Sequence, residues 1–134
     1  MKPELLNAAV KLAEKLEHVF VATADSSGTP HVAAAGELKQ MSKDHVTVSS
    51  WFCPGTLANL ENNRRVSMVV WDAESDKGYQ LLGRVEKVED IAILNGYLPE
   101  IDETQVVPQV EEKLLVRVEK IIAFSHSPHS DLEE

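Results

Sequence analysis

Six stretches rich in β-branched and aromatic residues constrain the fold of this chain more than any other feature. Each is bounded by Gly, Pro, Asp, Asn or Ser, which is typical of β-strands that end in turns. They cover residues 18–25, 30–38, 44–52, 65–72, 78–88 and 113–125. Because most of the connections are too short for the crossover helices of a parallel sheet, the pattern predicts an antiparallel sheet.

Both alternating sets of positions are apolar in several of these stretches, for example in VFVATA and VSMVVW. A sheet with two apolar faces has to bury both of them. The sequence therefore predicts a mainly β fold in which six strands form a curled sheet or a small barrel. We expect helices and a second copy of the chain to cover the outer apolar residues.

Two helices are predicted on either side of the first three strands. Residues 3–17 place leucines and alanines at three- and four-residue steps, with lysines and glutamates opposite, which predicts an amphipathic helix. After Pro54 and Gly55 a second, polar helical run begins. We predict Thr56 as its N-cap and Asn59 at its third position.

Two further segments complete the predicted organisation. Asp90 to Tyr97, between the fifth and sixth strands, predicts a short helix that is followed by an irregular connection. The segment 126–134 is polar, acidic and interrupted by Pro128, so we expect it to fray. The chain is therefore predicted to form a single domain over residues 1–125, followed by a polar C-terminal tail over 126–134.

Composition excludes several classes of protein. A chain of 134 residues is long enough for one domain with its own core. The net charge of −9, from 13 basic and 22 acidic residues, opposes nucleic acid binding. The N-terminal residues carry charges every few positions, so we predict neither a signal peptide nor a membrane span and expect a cytoplasmic protein.

Cysteine and histidine add no chemistry that the sequence alone can locate. The single cysteine, Cys53, cannot form an internal disulfide. No base lies close to it in the sequence, so we interpret it as an inert buried thiol. The histidines are irregularly spaced, and no metal site is predicted. No catalytic constellation of nucleophile, base and acid is recognisable either.

The start of the second helix is a candidate for binding an anion. Its free N–H groups and partial positive charge suit a phosphate group. A capped connector is the more frequent outcome, by about three to one, because most helix starts bind nothing. The local residues leave both interpretations open.

A wider stretch, residues 15–88, resembles the flavin-binding split-barrel family of pyridoxamine 5'-phosphate oxidase and the small FMN-binding proteins. The resemblance rests on VATADSSGTPHV, HVTVSSWFCPGTLANLENNRRVSMVVWD and GYQLLGRVEKV, with a weaker similarity in the last strand. It implies a six-stranded antiparallel split β-barrel with flanking helices. It also implies a homodimer that binds FMN in clefts at the dimer interface.

The same resemblance implies a set of cofactor-binding residues. They are His31, Val32, Ala33, Ala34, Ser49, Ser50, Trp51, Thr56, Asn59 and Arg65. The segment from 31 to 36 would follow the isoalloxazine ring through its backbone, and residues 49–51 would lie beside the ring and the ribityl chain. Thr56 would hold the phosphate with Asn59 and one basic residue. For Trp51 a position in the core or at an interface is favoured over stacking on the ring by about two to one, because an indole buries a large apolar area.

One departure from the family pattern bears on affinity. Gly55 stands where relatives place Lys or Arg, and each charge-assisted hydrogen bond that is lost costs about 1.5–3 kcal/mol. Lys39 and either Arg64 or Arg65 are the candidates to compensate. Since neighbouring residues of a strand face opposite sides, only one of the two arginines can enter a given cleft.

The resemblance implies an FMN-dependent redox protein that exchanges electrons with a small-molecule partner. The flavin would carry the chemistry, so no residue is required as an acid or a base. Pyridoxamine phosphate oxidation itself is disfavoured, because the C-terminal segment FSHSPHSDLEE has no basic side chain other than histidine. A deazaflavin in place of FMN stays open. The alternative is a non-catalytic barrel dimer that binds a small ligand and has lost or weakened flavin binding.

Overall fold

The computed structural model describes residues 1–49, 53–93 and 109–134, and the side chains of all of these except 91–93 and 109–111. It contains two helices and seven strands in these ranges. The helices are α1 (Pro3–Leu16) and α2 (Pro54–Asn62). The strands are β1 (Val19–Ala24), β2 (Pro30–Ala35), β3 (Glu37–Gln40), β4 (His45–Ser49), β5 (Arg65–Asp72), β6 (Lys77–Ile93) and β7 (Gln109–Ala123).

All seven strands belong to one antiparallel sheet in the order β2-β1-β5-β6-β7-β4-β3. The two end strands, β2 and β3, are consecutive in the chain and are separated only by Gly36. The sheet must therefore curl until its two ends meet at this glycine. The result is a mainly β half-barrel with two helices, as the apolar pattern predicts.

The prediction of six strands is wrong, because the predicted strand 30–38 is two strands. Residues up to Ala35 pair with β1, whereas Glu37 and the residues after it pair with β4. A glycine inside a strand pattern often marks a sharp bend, and Gly36 lies where the chain changes partner. Pairing with two different partner strands thus decides the division.

The core lies between the curled sheet and α1. Along α1 the buried residues Leu6, Ala9, Val10 and Ala13 form one stripe that packs on β3, β5 and β6. The remaining buried apolar residues come mainly from alternate positions of the strands and include Val19, Val21, Leu38, Val46, Val48, Met68, Val70, Leu81, Leu114, Val116 and Ile121. No helix in the described ranges is long and apolar enough to cross a membrane.

The predicted helix from Asp90 to Tyr97 is wrong over its first part. Asp90 to Ile93 continue β6, where Asp90 pairs with Glu112 and Ile93 pairs with Gln109. Here the backbone hydrogen bonds offered by β7 outweigh the local preference for a helical turn. The rest of that prediction, residues 94–97, lies outside the described residues.

Candidate functional site

The second helix begins three residues earlier than predicted. Its N-cap is Cys53 and its first residue is Pro54, so Thr56 is the third helical residue and Asn59 the sixth. The prediction of Thr56 as N-cap is therefore wrong. Proline is favoured at the first helical position because its missing N–H would have no partner there. Cys53 caps with its backbone alone and forms no side-chain cap hydrogen bond.

The first turn of α2 packs against β2 and forms a polar cluster, which we call the α2 corner: His31, Cys53, Gly55 and Thr56. The His31 ring lies between the other two polar side chains. Its Nε2 is 3.8 Å from the Cys53 Sγ, and its Nδ1 is 3.4 Å from the Thr56 Oγ1. Thr56 is fully buried, whereas His31 and Cys53 are half-buried. Of the three polar side chains in this cluster, those of His31 and Cys53 are therefore the ones that are partly open to solvent.

Gly55 makes room for the His31 ring. A Cβ at position 55 would lie 3.2 Å from His31 Nε2, closer than ordinary van der Waals contact. Any other residue here would crowd the ring. The departure noted in the sequence therefore has a local structural reason, because a basic side chain at this position would compete with the histidine for space.

The surroundings of Cys53 differ from those expected of an inert thiol. Burial alone would raise the pKa of the Cys53 thiol, but the neighbouring Thr56 hydroxyl and the backbone N–H groups of Thr56 and Gly55 outweigh it and lower the pKa. The histidine that the sequence places 22 residues away lies beside the sulfur. The expectation that no base lies near Cys53 is wrong.

Asn59 links the α2 corner to a neighbouring cleft. Its Nδ2 donates to the Oγ1 of Thr23, at 3.0 Å, and Thr23 is the cross-strand partner of His31. Thr23 also lines a cleft of about 520 Å³ along β1, β5, β6 and β7. Asn59 is thus hydrogen-bonded to β1 between the α2 corner and this cleft.

The cleft carries charges of both signs. Arg65 and Lys120 line it together with Glu119 and Glu133. Of the two arginines at the head of β5, Arg65 is among the described residues that line the cleft and Arg64 is not. Of these two arginines, Arg65 is thus the one at this cleft.

The other predicted site residues divide between the two faces of β2 and a separate strand. Val32 and Ala34 are exposed, whereas Ala33 faces the other side and packs against the core. In the order of the sheet β2 is an end strand, with β1 as its hydrogen-bonded neighbour. Ser49 ends β4, where it pairs with Glu37.

The structure therefore brings together His31 and Thr56, with Asn59 on the same helix, and places Arg65 at the neighbouring cleft. Ser50 and Trp51 lie outside the described residues. Sequence reasoning missed Cys53, although a proline after it at the first helical position was a usable signal. It also missed Thr23 and Lys120, whose positions depend on pairing between distant strands.

A second histidine cluster lies at the start of β4. The His45 Nδ1 is 2.8 Å from an Asp44 carboxylate oxygen and its Nε2 is 2.7 Å from Glu86. Hydrogen bonds to Glu86 and then to Asp44 raise the pKa of His45. Within the described residues no cluster of three or more His, Cys, Asp or Glu side chains is arranged to hold a metal ion.

The C-terminal tail is bound rather than frayed. Both carboxylate oxygens of Asp76 accept backbone N–H groups, from His126 at 2.6 Å and from Ser127 at 3.0 Å. The indole N–H of Trp71 donates to the same carboxylate at 3.0 Å. Farther along, the Glu134 N–H donates to the Ile121 carbonyl. The expectation of a frayed tail therefore missed an acceptor that lies 50 residues upstream.

Comparison with known proteins identifies the family. The family model described as pyridoxamine 5'-phosphate oxidase matches residues 5–119. The chain therefore belongs to the pyridoxamine 5'-phosphate oxidase family, and the matched segment includes every predicted cofactor-binding residue. No curated protein matches the chain significantly.

Solved structures share the fold at low sequence identity. An FMN-binding protein from Syntrophomonas wolfei is 17% identical with a TM-score of 0.67, over 96% of this chain and 91% of that one. A Clostridium acetobutylicum protein related to general stress protein 26 is 16% identical with a TM-score of 0.66, over 99% and 96%. A protein named F420 reductase is 18% identical with a TM-score of 0.55, over 83% and 93%.

Proposed function

We propose that this protein binds FMN and acts as a flavin-dependent redox protein with a small-molecule electron partner. The observation that carries the proposal is the family match over residues 5–119, which spans the α2 corner, β2 and most of the residues that line the neighbouring cleft. The similar fold of an FMN-binding protein supports the same cofactor. The polypeptide would orient the flavin and control access to it, while the flavin supplies the electron transfer.

In this proposal the flavin ring lies along β2 and the phosphate lies near Arg65. An end strand leaves backbone N–H and C=O groups that can bind the polar edge of a ring. Arg65 offers a charged donor at a cleft whose 520 Å³ is within the usual range for a ligand site. Thr56 is buried behind His31, so it would act on the phosphate through His31 unless that ring moves.

We propose further that two copies of the chain complete the site. Phe20 on β1 is 40% exposed, and Val32 on the neighbouring strand β2 is 61% exposed. Both lie on the outer face, where Phe20 is opposite Ala34 and Val32 is opposite Ala22. Exposed apolar side chains on one face suit a contact with a second copy. Sedimentation equilibrium measures the mass of the particle in solution, and a comparison of the wild type with Val32→Lys tests whether this contact forms a dimer.

A fluorescence titration with FMN tests the proposal. We expect quenching at micromolar FMN, and about ten- to a hundredfold weaker binding in Arg65→Gln because a charge-assisted hydrogen bond is lost. Arg117→Gln makes the same change of charge on an exposed position of β7 and should leave affinity nearly unchanged. Absence of quenching by the wild type would contradict FMN binding.

The same titration separates FMN from a deazaflavin. The similarity to a protein named F420 reductase makes F420 the appropriate competitor. We expect FMN to bind more tightly, because the proposed site offers a charged donor for a single terminal phosphate. Tighter binding of F420 would reassign the cofactor while leaving the redox proposal in place.

A non-catalytic binding module is the second candidate, and one observation favours it. The hydroxyl of Thr56 is buried against His31, and Gly55 supplies no charge. The predicted phosphate-binding site at the α2 corner is therefore closed in this conformation. Thr56→Val removes the hydroxyl and keeps the shape of the side chain. If this variant keeps its FMN affinity and its midpoint of thermal unfolding, Thr56 is not part of the FMN-binding site.

A further inference from the structure

Cys53 and His31 form a nucleophile and base pair that the redox proposal does not use. The Cys53 Sγ lies 3.8 Å from His31 Nε2, within reach of a sulfur hydrogen bond. The opposite ring nitrogen is 3.4 Å from the Thr56 Oγ1, so a third group orients the histidine. A nucleophile, a base and a group that orients the base are the three elements that distinguish an activated thiol from an inert one.

One arrangement of protons satisfies all three side chains. The His31 Nδ1–H donates to the Thr56 hydroxyl oxygen, and the Thr56 hydroxyl, which helps to lower the pKa of the Cys53 thiol, can turn its own proton toward the sulfur. The lone pair of His31 Nε2 then faces the thiol and can accept its proton. After that transfer, the thiolate is stabilised by the imidazolium N–H, by the hydroxyl and by backbone N–H groups of the first turn of α2.

The backbone holds this pair in position. Thr56, which orients the ring, is fully buried in the first turn of α2, and the ring itself occupies the space left by Gly55. His31 is fixed on β2 by the pairing of its backbone with Thr23. Cys53 and His31 are half-buried, so neither residue is fully withdrawn from solvent.

We propose that Cys53 is a reactive thiol, activated by His31, that forms mixed disulfides with small aliphatic disulfides. The exchange itself needs no flavin, although His31 and Thr56 are also among the predicted cofactor-binding residues. The proposal assigns a modification site to the start of α2. The Thr56 hydroxyl and the first-turn N–H groups, which lower the pKa of the Cys53 thiol, favour the same state.

The exchange is balanced without a further reactant. The Cys53 thiolate attacks one sulfur of the incoming disulfide, and a new S–S bond forms as the old S–S bond breaks. The other half of the disulfide leaves as a thiolate, which takes up the proton held by His31. Cys53 is oxidised to the mixed disulfide, and the leaving half is reduced to a thiol.

The pH dependence of this exchange in the wild-type protein is the primary test. Hydroxyethyl disulfide is a suitable probe, because it is neutral and is not repelled by a chain of net charge −9. Intact mass spectrometry follows formation of the mixed disulfide. The same protein unfolded in urea provides an internal reference, since its cysteine should titrate at about 8.5.

We expect the midpoint of the pH–rate profile to lie below that of the unfolded protein. At about pH 6.5 we expect the native thiol to react roughly three- to tenfold faster than the unfolded one. Equal midpoints would overturn the proposal. So would a native cysteine that does not react at any pH while the unfolded one does.

His31→Gln identifies the activating group. This variant should move the midpoint up toward the unfolded value and slow exchange about three- to tenfold at the lower pH. His45→Gln is the matched control, since it removes a histidine that is bonded to Asp44 and Glu86 instead. An unchanged midpoint in His31→Gln would contradict the pair. Should that variant fail to fold, the comparison of native with unfolded wild type still decides.

Discussion

Two polar corners of the molecule differ in how tightly their groups are bonded. At the first, which we call the Asp76 corner, one carboxylate accepts three N–H groups at 2.6–3.0 Å and binds the tail to the turn between β5 and β6. At the α2 corner, the contacts of His31 are 3.4 and 3.8 Å long. Short hydrogen bonds that fill a carboxylate fix structure, whereas longer contacts around a half-buried histidine leave groups that a ligand or reagent can engage.

The glycines of the two corners show the same difference. A Cβ on Gly78 would lie 2.5 Å from the Val70 carbonyl oxygen and 2.9 Å from that of Phe124. A Cβ on Gly55 would meet only the end of a side chain, at 3.2 Å. Backbone atoms held in a sheet cannot move away, but a histidine ring can turn. We infer that the Asp76 corner serves stability and that the α2 corner serves chemistry.

Gly78→Ala is expected to cause the largest loss of unfolding free energy among the variants that test this comparison. The new methyl group would overlap backbone atoms of two neighbouring strands, which costs about 1–3 kcal/mol or more of unfolding free energy. Urea unfolding measures the change. Its matched partner is Gly55→Ala, and similar losses in the two variants would contradict the distinction between the corners.

Asp76→Asn tests the Asp76 corner through its pH dependence. N–H donors from His126, Ser127 and Trp71 hold the pKa of the Asp76 carboxyl well below its usual range. A lowered folded pKa stabilises the protein above the unfolded value of about 3.9, and this contribution is lost as the pH falls through the folded pKa. The stability difference between wild type and Asp76→Asn should therefore shrink as the pH falls below about 4.

Urea unfolding at several pH values measures that difference, and limited proteolysis of the tail provides a second readout. We expect faster cleavage after residue 125 in Asp76→Asn at neutral pH, because the tail loses charge-assisted bonds. Asp131→Asn is the control, since this carboxylate is 89% exposed in the same tail. A tail equally resistant to proteolysis in Asp76→Asn and wild type would show that Asp76 does not hold it.

Much of the sheet was predictable because local patterns specify it. Strand β5 occupies the predicted residues 65–72, and α1 ends one residue before the predicted end. Alternation in a strand and the stripe of a helix are set by neighbours in sequence. Two features depend instead on pairing with strands that are distant in the sequence. They are the division of the predicted strand at Gly36, where β3 pairs with β4, and the strand in place of the helix at residue 90, where β6 pairs with β7.

The candidate site was predictable only in part for the same reason. The resemblance led to the family, which is confirmed, and two of the predicted site residues, His31 and Thr56, do meet. The contact between Cys53 and His31 joins residues 22 apart in the chain, and the bond between Asp76 and His126 joins residues 50 apart. Such contacts require the register of β1 with β2 and the length of β6, which no local pattern specifies.

Asn59→Ala tests the link between the α2 corner and the cleft. It leaves the hydroxyl of Thr23, a residue that is 5% exposed, without its donor, so we expect a loss of about 1–3 kcal/mol in unfolding free energy. Thr23→Val removes the other partner, and the double variant completes a cycle. A coupling energy near zero would mean that this hydrogen bond does not hold α2 against β1.

Gly55→Ala should have the smallest effect on stability and a distinct effect on chemistry. At a helical position alanine is more stable than glycine by roughly 0.5–1 kcal/mol. This gain offsets the crowding of the new Cβ, which would lie 3.2 Å from His31 Nε2. The ring has to move by a few tenths of an ångström, and it is the group proposed to accept the proton of Cys53. We therefore expect nearly unchanged urea unfolding together with a thiol exchange profile shifted toward that of His31→Gln. An exchange profile identical to that of the wild type would mean that the position of the ring does not control the thiol, and the α2 corner would then be structural in the same way as the Asp76 corner.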